Sequence, residues 1–171
     1  MGTFTFSDGE QEVRAVIAHK LRGFLEEHGV QYEVEEHSRA VDAQRLAAAG
    51  HVSGWDVAKP VLLSVGGELA MVVVPGAVGV DLEKAQEVLG HNQVRMATED
   101  EFEDVFDDCE GGAEPPFGNL YGIPTFLDEK LRARPNLVFR AGTHTETVTL
   151  DTEDYVRLTE AEIVDVSGRR R

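Results

Sequence analysis

A chain of 171 residues, 42% hydrophobic and 7% aromatic, is long enough for one globular domain and apolar enough to bury a core, which excludes wholesale disorder. Sixteen Lys and Arg stand against 32 Asp and Glu, a formal net charge of −16 that by itself argues against a bare phosphate backbone or an anionic membrane as partner. A single cysteine, Cys109, excludes an intrachain disulfide and a multi-cysteine zinc site, and its neighbours Asp107, Asp108 and Glu110 discourage a thiolate nucleophile. Only Lys20, Lys59, Lys84 and Lys130 are lysines. Abundant acid with scarce lysine suits a cytoplasm of very high salt, where self-repulsion is screened, and equally an ordinary acidic protein. No secretory or membrane-length apolar run is present, so a cytoplasmic location is expected.

In chain order, Val13, Ile17, Leu21, Phe24 and Leu25 recur at helical spacing over 11–28, and Gly29 suits the helix end. Residues 30–36 alternate as a half-buried strand, and Asp42 caps a short helix that turns Leu46, Ala47 and Ala49 inward. Two apolar runs, 61–65 and 69–74, flank Gly66-Gly67 and predict a hairpin at the centre of a sheet. Asp81 opens a helix that Gly90 closes, residues 94–96 form a short strand, and Thr98 with Glu101 makes a capping box. The eight acids between Glu99 and Glu110 lack calcium-loop spacing and read as a solvated helix face. A long loop over 111–124 carries Pro115, Pro116 and Pro124. Strands at 137–139 and 145–150, a helix over 151–158 and a closing strand at 163–166 complete the pattern. Helices and strands interleave around an antiparallel hairpin, so the fold is α/β with a mixed, barrel-like sheet flanked by helices. One domain is expected over 1–171, with its core over about 28–160 and a short tail at 167–171.

Three places could carry chemistry. Lys59 stands directly before the apolar hairpin, where its amine either meets a carbonyl, carboxylate or ligand phosphate, or snorkels from a strand start. The loop Glu110-Gly111-Gly112-Ala113-Glu114-Pro115-Pro116-Phe117-Gly118 combines glycines that let backbone approach a ligand with prolines that stiffen it. Its exposed N–H groups could hold a carbonyl or oxyanion, or it is a structural Ω-loop. His144 follows Gly142 at a strand start, with Glu146 and Val148 on the same face, and either positions a polar ligand or is a surface histidine. His37 ends a strand and could line the same cleft or act as a cap. No two histidines have metal-ligand spacing, and there is no nucleophile elbow, phosphate-binding loop or dinucleotide fingerprint, so neither a metal nor a cofactor is expected.

The order of these signals is informative. Ala58-Lys59-Pro60-Val61-Leu62-Leu63, Val73-Val74-Pro75-Gly76, Val80-Asp81-Leu82, Gly112 through Pro116-Phe117-Gly118, and Gly142-Thr143-His144 together resemble the YbaK/EbsC-type family over about residues 28–158. That family includes the editing domain of bacterial prolyl-tRNA synthetases and free-standing aminoacyl-tRNA deacylases. The resemblance implies hydrolysis of the ester joining a wrong, small amino acid to tRNA, such as alanyl- or cysteinyl-tRNA for proline. Under it Lys59 places the terminal nucleotide, Gly112 and Pro116 bound a loop whose amides face the aminoacyl carbonyl, and His144 lies in the aminoacyl pocket. His37, Phe117, Gly118 and Gly142 complete that binding set. The implied partner is the 3′ aminoacyl end of a mischarged tRNA, with no DNA, membrane, metal or cofactor. Pro60 stands where many relatives carry a residue with an N–H, and Asp42 where they often carry Thr, which bears on the amino acid preferred. The alternative is a non-catalytic binder of aminoacyl-tRNA ends or small metabolites on the same fold.

Overall fold

The computed structural model describes residues 18–36 and 53–168. The helix expected over 11–28 is seen as α1, His19–Glu27, which buries Leu21 and Leu25 and ends before Gly29 at φ +63°. Strand β1 is Tyr32–Glu36. His37, Asp42 and the short helix expected there lie outside the described residues.

The hairpin forms as expected from β2, Ala58–Val65, and β3, Glu68–Pro75, paired antiparallel with Val65 opposite Glu68. Gly66 and Gly67 between them have φ +60° and +92°, the handedness that a two-residue hairpin turn requires. β3 is a continuous apolar run because both of its faces are covered. Met71 and Val73 join one core cluster, while Val72 and Val74 join the other.

Beyond the hairpin come β4 (Gly79–Val80), α2 (Leu82–Leu89), β5 (Val94–Met96) and α3 (Glu99–Phe102). Asp81 caps α2 by accepting from the N–H groups of Glu83 and Lys84, and Gly90 ends it at φ +65°. A 3₁₀ turn at Gly118–Tyr121 leads to β6 (Thr125–Asp128), α4 (Glu129–Arg132), β7 (Asn136–Arg140) and β8 (Glu146–Asp151). Helix α5 (Thr152–Thr159), capped by Asp151, is followed by β9 (Glu162–Val164) and β10 (Ser167–Gly168).

The main sheet has the order β5-β2-β3-β6-β9, antiparallel through β3 and parallel from β3 to β9. A second sheet, β1-β8-β7, is wholly antiparallel. One face of the main sheet packs on α2 through Leu63, Val72, Val74 and Ala85. Its other face shares a larger core with α1, α5 and the second sheet, filled by Leu21, Leu25, Phe117, Leu127, Phe139, Val148 and Tyr155.

Mixed strand direction is therefore found, but the barrel-like closure expected from sequence is not. Among the described residues β5 and β9 each pair on one side only, with β2 and β6, and one parallel bridge, Val57 with Val138, joins the two sheets. The acidic helix is also shorter than expected, since only Glu99–Phe102 is α-helical and turns follow to Cys109. Acids at 99 and 103, 100 and 104, and 104 and 108 would repel one another along a continued helix. Strand β6 and its helix α4 were not anticipated. Asp128 explains why they hold: fully buried, it caps α4 through the Lys130 N–H and accepts from the N–H groups of Val166 and Ser167.

Candidate functional site

Gly142 organises the site. It sits at φ +104° in the turn between β7 and β8, and a Cβ there would lie 2.8 Å from Ala18 Cβ and 2.9 Å from Ala18 N, so only glycine fits beneath the start of α1. Its backbone ties that turn to the glycine loop twice: Gly142 N–H donates to Ala113 O at 2.8 Å, and Glu110 N–H donates to Gly142 O at 2.7 Å.

Two side chains complete the seam. The His144 N–H donates to Glu110 Oε1 at 2.7 Å, and His144 Nε2 lies 2.6 Å from Gly111 O, a bond that requires the proton on Nε2. His144 stands in the turn ahead of β8, not in the strand as its alternation with Glu146 and Val148 had implied, and this places its ring against the glycine loop. The Arg140 guanidinium, from the end of β7, donates to His144 O at 3.1 Å.

Gly111 and Gly112 are exposed, whereas residues 113–118 are buried. Gly112 has φ +85°, and a Cβ on it would meet His144 Cε1 at 3.3 Å. Its N–H donates to Glu114 Oε2 at 3.1 Å. The loop is anchored behind these glycines. Tyr155, fully buried, donates its hydroxyl to Pro116 O at 2.5 Å, and burial pushes that phenol well above its usual range, so it stays a donor. The Phe117 ring is enclosed by Phe24, Phe139 and Tyr155. Gly118 is required because a Cβ would sit 2.5 Å from Thr125 Oγ1 and 2.7 Å from Ile123 O. Pro116, Phe117 and Gly118 are thus buried beside the exposed glycines, with the Phe117 ring committed to the core.

Lys59 comes from β2, where its ammonium donates to Val78 O at 2.8 Å. It is part-buried over the turn after β3, as a lysine at the head of an apolar hairpin must be unless it snorkels away. The parallel Val57–Val138 bridge joins this strand to β7, and two residues further along in the same direction come Lys59 and Arg140. The topology thereby brings the Lys59 segment beside the strand that carries the His144 turn.

Glu110, Glu114 and Arg140 were not singled out by sequence reasoning. Glu110 and Glu114 were visible only as acids flanking the glycine pair, a signal lost among 32 Asp and Glu. Among the described residues, no three His, Cys, Asp or Glu side chains converge in a way that could hold a metal ion.

A family model described as the aminoacyl-tRNA editing domain matches residues 37–158, which span Lys59, the glycine loop and the His144 turn. The chain belongs to the aminoacyl-tRNA editing domain family. Its role is therefore in tRNA editing, with an aminoacyl-tRNA as the interacting molecule. The fold is shared with a candidate trans-editing enzyme for prolyl tRNA synthetase, at a TM-score of 0.77 and 23% identity, covering 96% of this chain and 99% of the other. A hypothetical protein of known crystal structure aligns at a TM-score of 0.78 and 21% identity over 88% of this chain and 100% of its own. A structure from computational epitope grafting onto scaffold proteins aligns at 0.78 and 23% identity, over 88% of this chain and 97% of its own. No curated protein matches the chain at a significant level. Among the described residues no helix is long and apolar enough to cross a membrane.

Proposed function

We propose that this editing-domain chain is a cytoplasmic, free-standing deacylase that hydrolyses the ester of a tRNA carrying a wrong, small amino acid. The observation that carries the reading is the exposed Gly111-Gly112 backbone, stitched through Glu110 and Gly142 to the His144 turn. An aminoacyl ester is already activated, so its hydrolysis needs a placed water and a polarised carbonyl more than a strong nucleophile. In this reading the Gly112 N–H polarises the aminoacyl carbonyl. The water oxygen bonds to the carbonyl carbon, the ester C–O bond breaks, and the ribose oxygen leaves with a proton. His144 borders the aminoacyl group or the water. Lys59, with Arg140 beside it, faces the terminal nucleotide. A rigid loop backed by Pro116, Phe117 and Gly118 favours a small side chain, which is the logic of a second sieve. Alanyl- and cysteinyl-tRNA for proline are the substrates to test first.

A second reading, non-catalytic binding of aminoacyl-tRNA ends or small metabolites, is favoured by one observation: the Gly112 N–H is already bonded to Glu114, and the His144 ring nitrogen to Gly111 O. Amino-acid release from a panel of mischarged tRNAs separates the two. The deacylase reading expects turnover of at least one small aminoacyl-tRNA and a fall of about tenfold or more in Lys59→Ala, the loss of a charge-assisted contact. Equal activity in both proteins would remove Lys59 from the mechanism. Tight binding without turnover across the panel would establish the binder.

A further inference from the structure

Glu114 is 8% exposed, in a loop where neither glycine pair nor proline pair needs a carboxylate. Its one hydrogen bond among the described residues runs from the Gly112 N–H to Oε2. No lysine, arginine or histidine side chain among them bonds it, and the nearest imidazole nitrogen at the loop, His144 Nε2, is taken by Gly111 O. Close by in the chain, Glu110 is held by the His144 N–H, and the Cys109 thiol feels the Glu114 charge. A carboxylate that is nine-tenths buried with a single hydrogen-bond donor has acceptor capacity to spare. A cap for one N–H needs only Ser, Asn or Thr, with no charge to desolvate.

Resting on the deacylase reading above, we propose that Glu114 recognises the α-ammonium group of the aminoacyl ester and makes the site selective for substrates with an unblocked amine. Gly112 N and Glu114 Oε2 form a donor and an acceptor 3.1 Å apart. An α-aminoacyl ester presents the complementary pair, since its carbonyl oxygen and ammonium nitrogen lie about 3 Å apart through N–Cα–C=O. In the unliganded loop the two protein groups satisfy each other. Substrate exchanges that one bond for two: its carbonyl accepts from the Gly112 N–H, and its ammonium donates to Glu114. The exchange also explains how an amide that is occupied in the unliganded protein serves as the carbonyl donor. No proton or bond other than these hydrogen bonds changes hands, and the hydrolysis step is that given above.

The test compares an alanyl group joined to adenosine by a 3′-amide, which resists hydrolysis, with its N-acetyl counterpart, by calorimetry on wild type and Glu114→Gln. Deacylation of alanyl- and N-acetylalanyl-tRNA is measured in parallel. Wild type is expected to favour the ligand with the free amine by about tenfold or more, the range for a hydrogen bond to a charged group. Glu114→Gln, which keeps size and a carbonyl acceptor but removes the charge, is expected to bring the two ligands within about threefold, a loss of preference that a merely structural role would not produce. Equal preference in wild type and Glu114→Gln overturns the proposal. A preference lost in Glu114→Gln without turnover of either tRNA supports Glu114 and sinks the deacylase reading alone, whereas no binding of either ligand to wild type sinks both. If Glu114→Gln does not fold, Glu114→Asp is read the same way: a weakened preference supports the role, and an unchanged one overturns it.

Discussion

Gly112 and Gly142 show how much rests on the absence of a side chain. Both have positive φ, yet a methyl group meets different surroundings at each. At Gly142 it would drive into the backbone of Ala18, which cannot yield without moving α1. Gly142→Ala is expected to lose roughly 1–3 kcal/mol of stability and several degrees in Tm, measurable by thermal or urea unfolding. At Gly112 the methyl would meet only the edge of the His144 ring, at 3.3 Å, on an exposed loop. Gly112→Ala is therefore expected to shift Tm by only a few degrees while deacylation falls by about tenfold or more, because the carbonyl donor and the imidazole are displaced together. A large unfolding defect with the residual activity intact would reverse these assignments. Both glycines were visible in the sequence as members of ordered motifs. What could not be read was that the Gly142 carbonyl and N–H bind the Glu110–Ala113 segment, since nothing in a linear pattern pairs residues about thirty positions apart.

At the scale of elements, the acidic turn after α3 is held to α1 by a small polar knot. The Tyr121 hydroxyl donates to Asp108 Oδ1 at 2.7 Å, and the Lys20 N–H donates to Asp108 Oδ2 at 3.1 Å. Burial works against the Asp108 charge, but these donors hold its carboxyl below the usual range. Cys109 Sγ lies 3.3 Å from Asp108 Oδ1 and 3.4 Å from the Tyr121 oxygen. Burial, reinforced by Asp108 and Glu114, pushes this thiol from an ordinary 9.0 up to about 12. The neutral thiol is thus favoured in the folded state, and its contribution is complete below pH 9. As pH rises from 9 toward 12 the unfolded chain releases a proton that the folded chain retains, so stability falls across that window. Tm measured at pH 8 and pH 10.5 should drop further in wild type than in Cys109→Ala. A parallel drop in both would place the alkaline loss elsewhere, with Tyr121, also raised by burial, the next group to examine.

The same scale shows where patterning works and where it stops. Asp81, Asp128 and Asp151 each cap the helix that follows, and the Asp81 start was legible as an acid before an apolar periodicity. The hairpin was legible because its turn and both runs are contiguous. Strand β6 was not: four residues between Pro124 and α4 carry too little alternation, and it exists because β3 and β9 accept it on either side. The capping box at Thr98 was half right, since Glu101 accepts from Thr98 but the Thr98 hydroxyl does not cap the helix.

At the scale of the whole molecule the net charge is −16, and among the described residues many cations are answered by carboxylates. Lys84 and Lys130 meet Asp165, Arg132 meets Glu153, Arg134 meets Asp56, and Arg157 meets Asp154. At the proposed site Lys59 donates to the backbone carbonyl of Val78 and Arg140 to that of His144. In the proposed reading a tRNA held there meets one or two cations at its 3′ end and an acidic surface elsewhere. Deacylation efficiency is therefore expected to fall with salt at a log–log slope of only about 1 to 2, set by that number of phosphate contacts. Kinetics from low to molar salt check this. A steep loss would mean that further cations bind the tRNA body, and would also count against a protein adapted to high salt.

Composition, helix caps, the Gly66-Gly67 hairpin and the order of the Lys59, Gly112 and His144 motifs were determined by the sequence itself, because each depends on neighbours within a few residues or on order along the chain. Tertiary structure alone decided that the sheets stay open, that Phe117 belongs to the core, and that Glu114 faces the Gly112 amide. Those outcomes depend on which surfaces meet across long separations, and there burial and hydrogen-bond satisfaction override local pattern. In the reading proposed above, the acidity that at first argued against a nucleic-acid partner is met by Lys59 and Arg140 at the tRNA 3′ end, and Glu114 faces the α-ammonium group.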